Sequence, residues 1–159
     1  MTMAQVREGH RRVSIIEHQP DLMRTYVALN QAVDACLERA LHELVKLRAS
    51  QINRCAFCLE MHTREARDIG LSQEKLDLLP AWREAPIFDQ RERAALALTE
   101  AITLVERDGV PDDVWNPARE AFSDAELSAL VMAVVTINGW NRIAVTTRSP
   151  VPRRRTPPA

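Results

Sequence analysis

The sequence predicts an all-α fold on three observations. Glycine is scarce, at 4 residues in 159; apolar side chains recur at three- and four-residue spacing; and the β-branched alternation of strands is nearly absent. Prolines punctuate the helical stretches. A chain of this length fits one domain with a real hydrophobic core and needs no disulfide staples.

Met1 to Gln19 is polar and irregular, so an N-terminal extension over 1–19 is expected before a helical domain over 20–147. Pro20-Asp21 opens a helix through Leu22, Tyr26 and Leu29. A second helix is expected from Val33 to about Ser50. Its apolar stripe is Leu37, Leu41, Leu44, Val45 and Leu47, which leaves Glu38, Arg39, Lys46 and Arg48 for less buried positions. Asn53 then serves as N-cap for a helix from Arg54 to Ile69, and Gly70 supplies the left-handed residue that closes it.

Ser72 starts a short helix that ends by Pro80, and Trp82 to Phe88 forms a connector between prolines. Asp89 caps a longer helix with apolar positions Ala94, Leu98, Ala101, Ile102 and Val105, ended by Asp108-Gly109-Val110-Pro111. A short helix follows from Asp112 to about Ala121. Ser123 with Glu126 three residues on is a capping-box signature for the last helix, which runs to about Thr146. That helix is apolar nearly all round from Leu130 to Ile137, as expected for burial between helices or between subunits. Asn138, Asn141 and Arg142 make it too polar at one end to span a bilayer, so it reads as a buried helix. Residues 148–159 mix four arginines with four prolines, the composition of a disordered tail.

The chemistry concentrates in Cys55-Ala-Phe-Cys58-Leu-Glu-Met-His62, with Glu43 one helix upstream. On a helix Cys58 and His62 stand one turn apart, and Cys55 returns to the same face two turns from His62. A helix start favours the thiolate, the reactive form of cysteine. His62 can take a proton from Cys58 or stabilise its thiolate, and Glu43 can orient that imidazole or relay the proton. A peroxide attacked by Cys58 leaves a sulfenic acid that Cys55 condenses with to a disulfide.

Two other readings use the same residues. The pair can exchange disulfides with partner proteins or sense redox state, or it can hold zinc with His62 and His42 or Glu43 completing the coordination. Thioredoxin-like chemistry requires βαβ context, which the chain lacks. Cys36 reads as a small core hydrophobe. His10, His18 and His42 read as surface or helix-packing residues, and Trp82, Trp115 and Trp140 as anchors of helix contacts or subunit interfaces, with the lining of a substrate pocket as the lesser alternative.

The formal net charge is -1, which offers no global field for nucleic acid or an anionic membrane, so neither is an expected partner. Arg153-Arg154-Arg155 reads as part of the solvated tail. Three cysteines and an N-terminus without a secretory pattern lead us to expect a cytoplasmic protein.

Glu43, Ser50-Gln-Ile-Asn53-Arg-Cys55-Ala-Phe-Cys58-Leu-Glu-Met-His62 and Gly70 together resemble the AhpD-like branch of the carboxymuconolactone decarboxylase superfamily. The resemblance continues through Trp82-Arg83-Glu84, Asp89 to Leu96, and Thr136-Ile137-Asn138-Gly139-Trp140-Asn141-Arg142. It implies a compact helical protomer assembled into a homo-oligomer, commonly a trimer or hexamer. It further implies a cofactor-free alkylhydroperoxidase acting on hydrogen peroxide or organic hydroperoxides, reduced by a dithiol donor such as a lipoylated protein. By the same resemblance Cys58 is the peroxide-attacking thiol, Cys55 the resolving and more accessible one, and Glu43 with His62 the proton relay. Phe57 departs from the AhpD pattern, which places a histidine between the two cysteines, so a relay here is shorter. The decarboxylases of the superfamily lack the cysteine pair.

Overall fold

The computed structural model describes residues 12–152. Among them the regular structure is helical throughout, with no strand: α1 (Ile15–His18), α2 (Pro20–Asp34), α3 (Arg39–Ile52), α4 (Ala56–Asp68), α5 (Gln73–Leu78), a 3-10 turn (Leu79–Ala81), α6 (Gln90–Thr103), α7 (Val105–Asp108), α8 (Asp112–Ala121) and α9 (Asp124–Thr147).

Helix α3 is the centre, because it is apolar on two sides. Leu41 and Val45 pack with Ala94, Ala95 and Leu98 of α6 and with Leu130 and Val134 of α9, while Leu44 and Leu47 face Leu79, Trp82, Phe88 and Leu96. Complete burial of a leucine such as Leu44 or Leu96 removes its side chain from water, a stabilisation of about 2 kcal/mol each. Asp89 caps α6 and the Ser123–Glu126 capping box starts α9 as the sequence predicts, and Glu92 completes a second capping box with Asp89. Ser72 caps α5, and Gly70 takes the left-handed conformation at φ 88.

By length and composition α9 would suffice to cross a membrane. Its Asn138 and Asn141 are instead buried and hydrogen-bonded to Thr103 and Ser50, which makes this half of the helix part of a protein core.

Three helix boundaries differ from expectation. The helix expected from Asp89 to Asp108 breaks at Leu104 into α6 and α7, which leaves Val105 57% exposed instead of in the apolar stripe. Val33 belongs to α2, which continues to Asp34, and α3 starts only at Arg39 because the Glu38 carboxylate accepts the N–H groups of Ala40 and Leu41. Asn53 is not an N-cap. It ends α3, Arg54 turns the chain with φ 54, and Cys55 caps α4 through its own sulfur.

Burial differs too. Lys46, expected at a less buried position, is 7% exposed, whereas His42, at 4% exposed, takes the helix-packing alternative. Both contact Asp34, at 2.8 Å from Lys46 Nζ and 3.3 Å from His42 Nδ1, and Lys46 also pairs with the buried Glu43. Cys36 is exposed rather than core, because the α2–α3 turn carries it out. Residues 12–19, expected as an extension, close against the end of α9: Arg12 N–H donates to the Thr147 carbonyl at 3.0 Å and Ser14 is buried. Of the expected tail, Ser149 N–H bonds the Ala144 carbonyl at 2.9 Å. His10 and Arg153-Arg154-Arg155 lie outside the described residues.

Candidate active site

The α3–α4 corner places the thiols. Cys55 has extended backbone at the N-cap, so its Sγ lies over the first turn of α4 and accepts the Cys58 N–H at 3.4 Å. The two sulfurs stand 2.6 Å apart, both cysteines are free, and Ala144 of α9 and Phe57 pack around them. Closure to a disulfide needs a movement of roughly half an ångström.

Beneath the pair runs a buried amide network. Asn141, 0% exposed, donates to Ser50 Oγ at 3.0 Å and accepts from Asn53 Nδ2 at 2.9 Å, while Asn53 also donates to Asn138 Oδ1 at 2.8 Å. Hydrogen bonding from Cys58 favours charge on Cys55 and outweighs burial; with help from the Cys58 N–H and the Asn141 amide it brings the Cys55 thiol down to about 6. The same bond, with burial, pushes Cys58 well above the usual thiol range. The two shifts run in opposite directions, which favours a single shared charge on the pair, weighted toward Cys55.

A cavity of about 610 Å³ opens over Cys58. Its apolar wall includes Val13 and Ile16 at the N-terminal segment, Met23 and Val27 of α2, and Phe57 and Trp140; its polar end holds Asn30, Asp34, Lys46, His62 and Glu65. Cys58 lines it and Cys55 does not. The resemblance had made Cys55 the more accessible thiol, whereas the two are equally buried at 1% and 2%. The roof is held by Tyr26, whose hydroxyl donates to the Thr136 carbonyl at 2.8 Å and whose ring meets Trp140 at 4.7 Å. Trp140 in turn donates to Asn30 Oδ1 at 3.0 Å, and it is the tryptophan that lines this cavity.

Glu43 and His62 are brought together as expected, with His62 Nδ1 donating to Glu43 Oε2 at 3.1 Å. The same Nδ1 also faces Glu65 Oε2 at 3.0 Å. Lys46 ties Glu43, at 3.2 Å, to Asp34. Burial disfavours charge on His62, but the two carboxylates prevail and raise its pKa above the ordinary value. His62 forms no hydrogen bond with either thiol among the described residues. It meets Cys58 at the cavity instead, one helical turn away.

The zinc set of two thiols with His62 and His42 or Glu43 does not assemble. Among the described residues, the metal-capable atoms that gather within 4.8 Å belong to Glu43, His62 and Glu65, with no thiol, and the Lys46 ammonium already sits on Glu43.

Sequence reasoning missed Lys46, Asp34, Glu65 and Asn141. Asn141 left a usable signal, as an amide set in an apolar helix requires buried partners. Glu65 left only its place three residues after His62.

The model of the carboxymuconolactone decarboxylase family matches residues 20–101. The uncharacterized protein YdfG of Bacillus subtilis (strain 168) is 37% identical over 135 residues, covering 84% of this chain and 92% of YdfG. The chain belongs to the carboxymuconolactone decarboxylase family. Within it the likeness is to the AhpD type. A crystal structure of a protein of unknown function from Agrobacterium tumefaciens, for which an AhpD role in antioxidant defence has been suggested, superposes with a TM-score of 0.88 at 40% identity, covering 91% of this chain and 100% of that one. An uncharacterized peroxidase-related protein with an alkylhydroperoxidase AhpD core from Ralstonia eutropha JMP134 shares the fold, with a TM-score of 0.74, 20% identity, and coverage of 88% and 74%.

Proposed function

We propose that this family member is a thiol-dependent peroxidase that reduces hydrogen peroxide or organic hydroperoxides with the Cys55–Cys58 pair. The observation that carries the reading is Cys58 at the base of a largely apolar cavity with a second thiol 2.6 Å behind it. The cavity size suits the organic part of a hydroperoxide, and the polar end suits its O–O group.

The reaction balances on this chain's own groups. Cys58 passes its proton to the Cys55 thiolate and attacks the terminal oxygen of the hydroperoxide. The O–O bond breaks, Cys58 becomes a sulfenic acid, and the leaving alkoxide takes a proton from the imidazolium of His62. Cys55 then attacks the Cys58 sulfur; its proton leaves with the hydroxyl as water, and a disulfide remains. The two electrons come from the two thiols. A dithiol donor, such as a lipoylated protein, returns them by exchange and lets His62 recover its proton from water.

Such a cycle suits the reducing cytoplasm. Self-association into a trimer or hexamer belongs to the same reading, because Leu22, Met132, Val135 and Val145 remain exposed at 65%, 39%, 48% and 52%. Nucleic acid and membranes have no role in it.

Turnover of cumene hydroperoxide or hydrogen peroxide with a small dithiol as reductant tests the proposal. Cys58→Ser abolishes turnover on this account; a variant that retains full activity removes Cys58 from the role. Cys55→Ser leaves a Cys58 sulfenic acid that dimedone labels. If every peroxide reacts slowly while a protein dithiol exchanges fast with the Cys55–Cys58 disulfide, the protein is an exchange or sensing protein instead.

A further inference from the structure

Two carboxylates address one nitrogen of His62, and they are not equivalent. Glu43 is 5% exposed, and its charge is shared with the Lys46 ammonium, itself bound to Asp34. Glu65 comes from the next turn of α4 and lines the cavity; its side chain bonds no described residue but His62. Lys46 and Arg64 act on its charge only through space, without a hydrogen bond. With Nδ1 held by the carboxylates, Nε2 is left without a hydrogen-bond partner among the described residues, and His62 lines the same cavity as Cys58.

We propose that Glu65 is a positioning residue that holds His62 as an imidazolium, with its Nε2 proton available to the alkoxide leaving in the cavity. The inference rests on the peroxidase reading and names a residue which that reading does not contain. A neutral imidazole has no Nε2 proton to give while Nδ1–H faces the carboxylates, so whatever keeps the ring charged keeps the donor loaded.

Every charged neighbour of His62 bears on the balance. From α3, Glu43 favours the charged ring, while Lys46 and His42 disfavour it; Asp34 of α2 acts through Lys46. Glu65 and Cys58 share α4 with it. The α9 residues at the cavity, Trp140, Ile143, Ala144 and Thr147, do not titrate. Burial and Lys46 oppose the charge, and Glu43 and Glu65 together overcome them, Glu43 with the larger share and Glu65 with the next. Phe57, at the cavity beside Cys58, can neither donate nor accept a proton.

The test is Glu65→Gln, which keeps size and removes charge at a position 38% exposed. In protein carrying labelled histidine, the NMR titration of the His62 ring, assigned by its loss in His62→Gln, should move down by about one unit. The alkaline limb of kcat/KM against pH should move down by the same amount, whereas a merely structural loss lowers the rate at every pH and leaves the limb in place. Glu65→Ala should regain activity in added formate. An unchanged ring titration together with an unchanged limb overturns the proposal. Wild-type protein without peroxide turnover sinks the peroxidase reading separately, and the ring titration still decides whether Glu65 holds the imidazolium. Should Glu65→Gln fail to fold, Glu65→Ala is read in the same way.

Discussion

Cys58 Sγ stands 2.6 Å from Cys55 Sγ, with Cys58 at the cavity and Cys55 behind it, and the charge of the pair sits on the residue behind. On the proposed peroxidase reading, the sulfur that would meet substrate rests as a thiol, with its proton acceptor already in contact. Resting charge and access to the cavity are divided between the two cysteines, so in the proposed mechanism attack by Cys58 would begin with a proton transfer to Cys55.

That division predicts the thiol titration. In reduced protein, thiolate absorbance near 240 nm should rise with a midpoint near 6, from Cys55. Cys58→Ala removes the largest source of the shift, and the Cys55 thiol should titrate higher. Cys58→Ser, which keeps a hydroxyl donor, should fall between. A single midpoint near the ordinary thiol value in wild-type protein contradicts the assignment.

Glu43→Gln should slow peroxide turnover, by tenfold or more at the scale usual for proton-transfer groups, while circular dichroism stays native. Lys46→Met is a different matter. It leaves Glu43 and Asp34 without their shared cation and should cost about 3 kcal/mol in denaturant unfolding.

His42 and His62 make opposite contributions to stability against pH. Burial and the nearby Lys46 ammonium outweigh Asp34 and bring His42 down to about 4. Its unfolded value lies higher, so the stability it supplies is present above about pH 6.5 and is lost as pH falls toward 4, by about 3 kcal/mol in all. The His62 pKa is raised, so its contribution is present below about pH 6.5 and fades as pH rises through its folded value. Unfolding free energy should decline on both sides of that region. His42→Gln should flatten the acid slope, and an unchanged slope contradicts the account.

Gly139→Ala tests the roof of the cavity. A Cβ there would stand 1.8 Å from the Tyr26 hydroxyl, so Tyr26 must give up its place on Thr136. The expected cost is about 2 kcal/mol in thermal or denaturant unfolding, with weaker use of organic hydroperoxides as α2 shifts. Adding Tyr26→Phe should recover part of the stability.

The sequence made helices legible where they carry strong local signals. The Asp89 cap, the Ser123 capping box and Gly70 stand where their chemistry predicts, because each satisfies backbone groups within its own turn. The α2–α3 boundary was hidden because no glycine or proline marks it and a glutamate caps the helix. In the site, the one-turn spacing of Cys58 and His62 and the nearness of Glu43 were legible from local geometry and family likeness. Lys46 and Asp34 were not, since each looks like a solvated helix charge until α2 lies beside α3. The cavity was illegible for the same reason: its walls come from the N-terminal segment, α2, α4 and α9, which meet only in the folded chain.

The central claim is that Cys55 and Cys58 form a peroxide-reactive dithiol, and peptide mapping by mass spectrometry tests it most directly. Fully reduced protein receives one equivalent of an organic hydroperoxide and is quenched with an alkylating agent over seconds to minutes. The account predicts rapid loss of two hydrogens in a peptide linking Cys55 to Cys58, with Cys36 left alkylated. Both active-site thiols remaining reduced, with peroxide unconsumed, would contradict it.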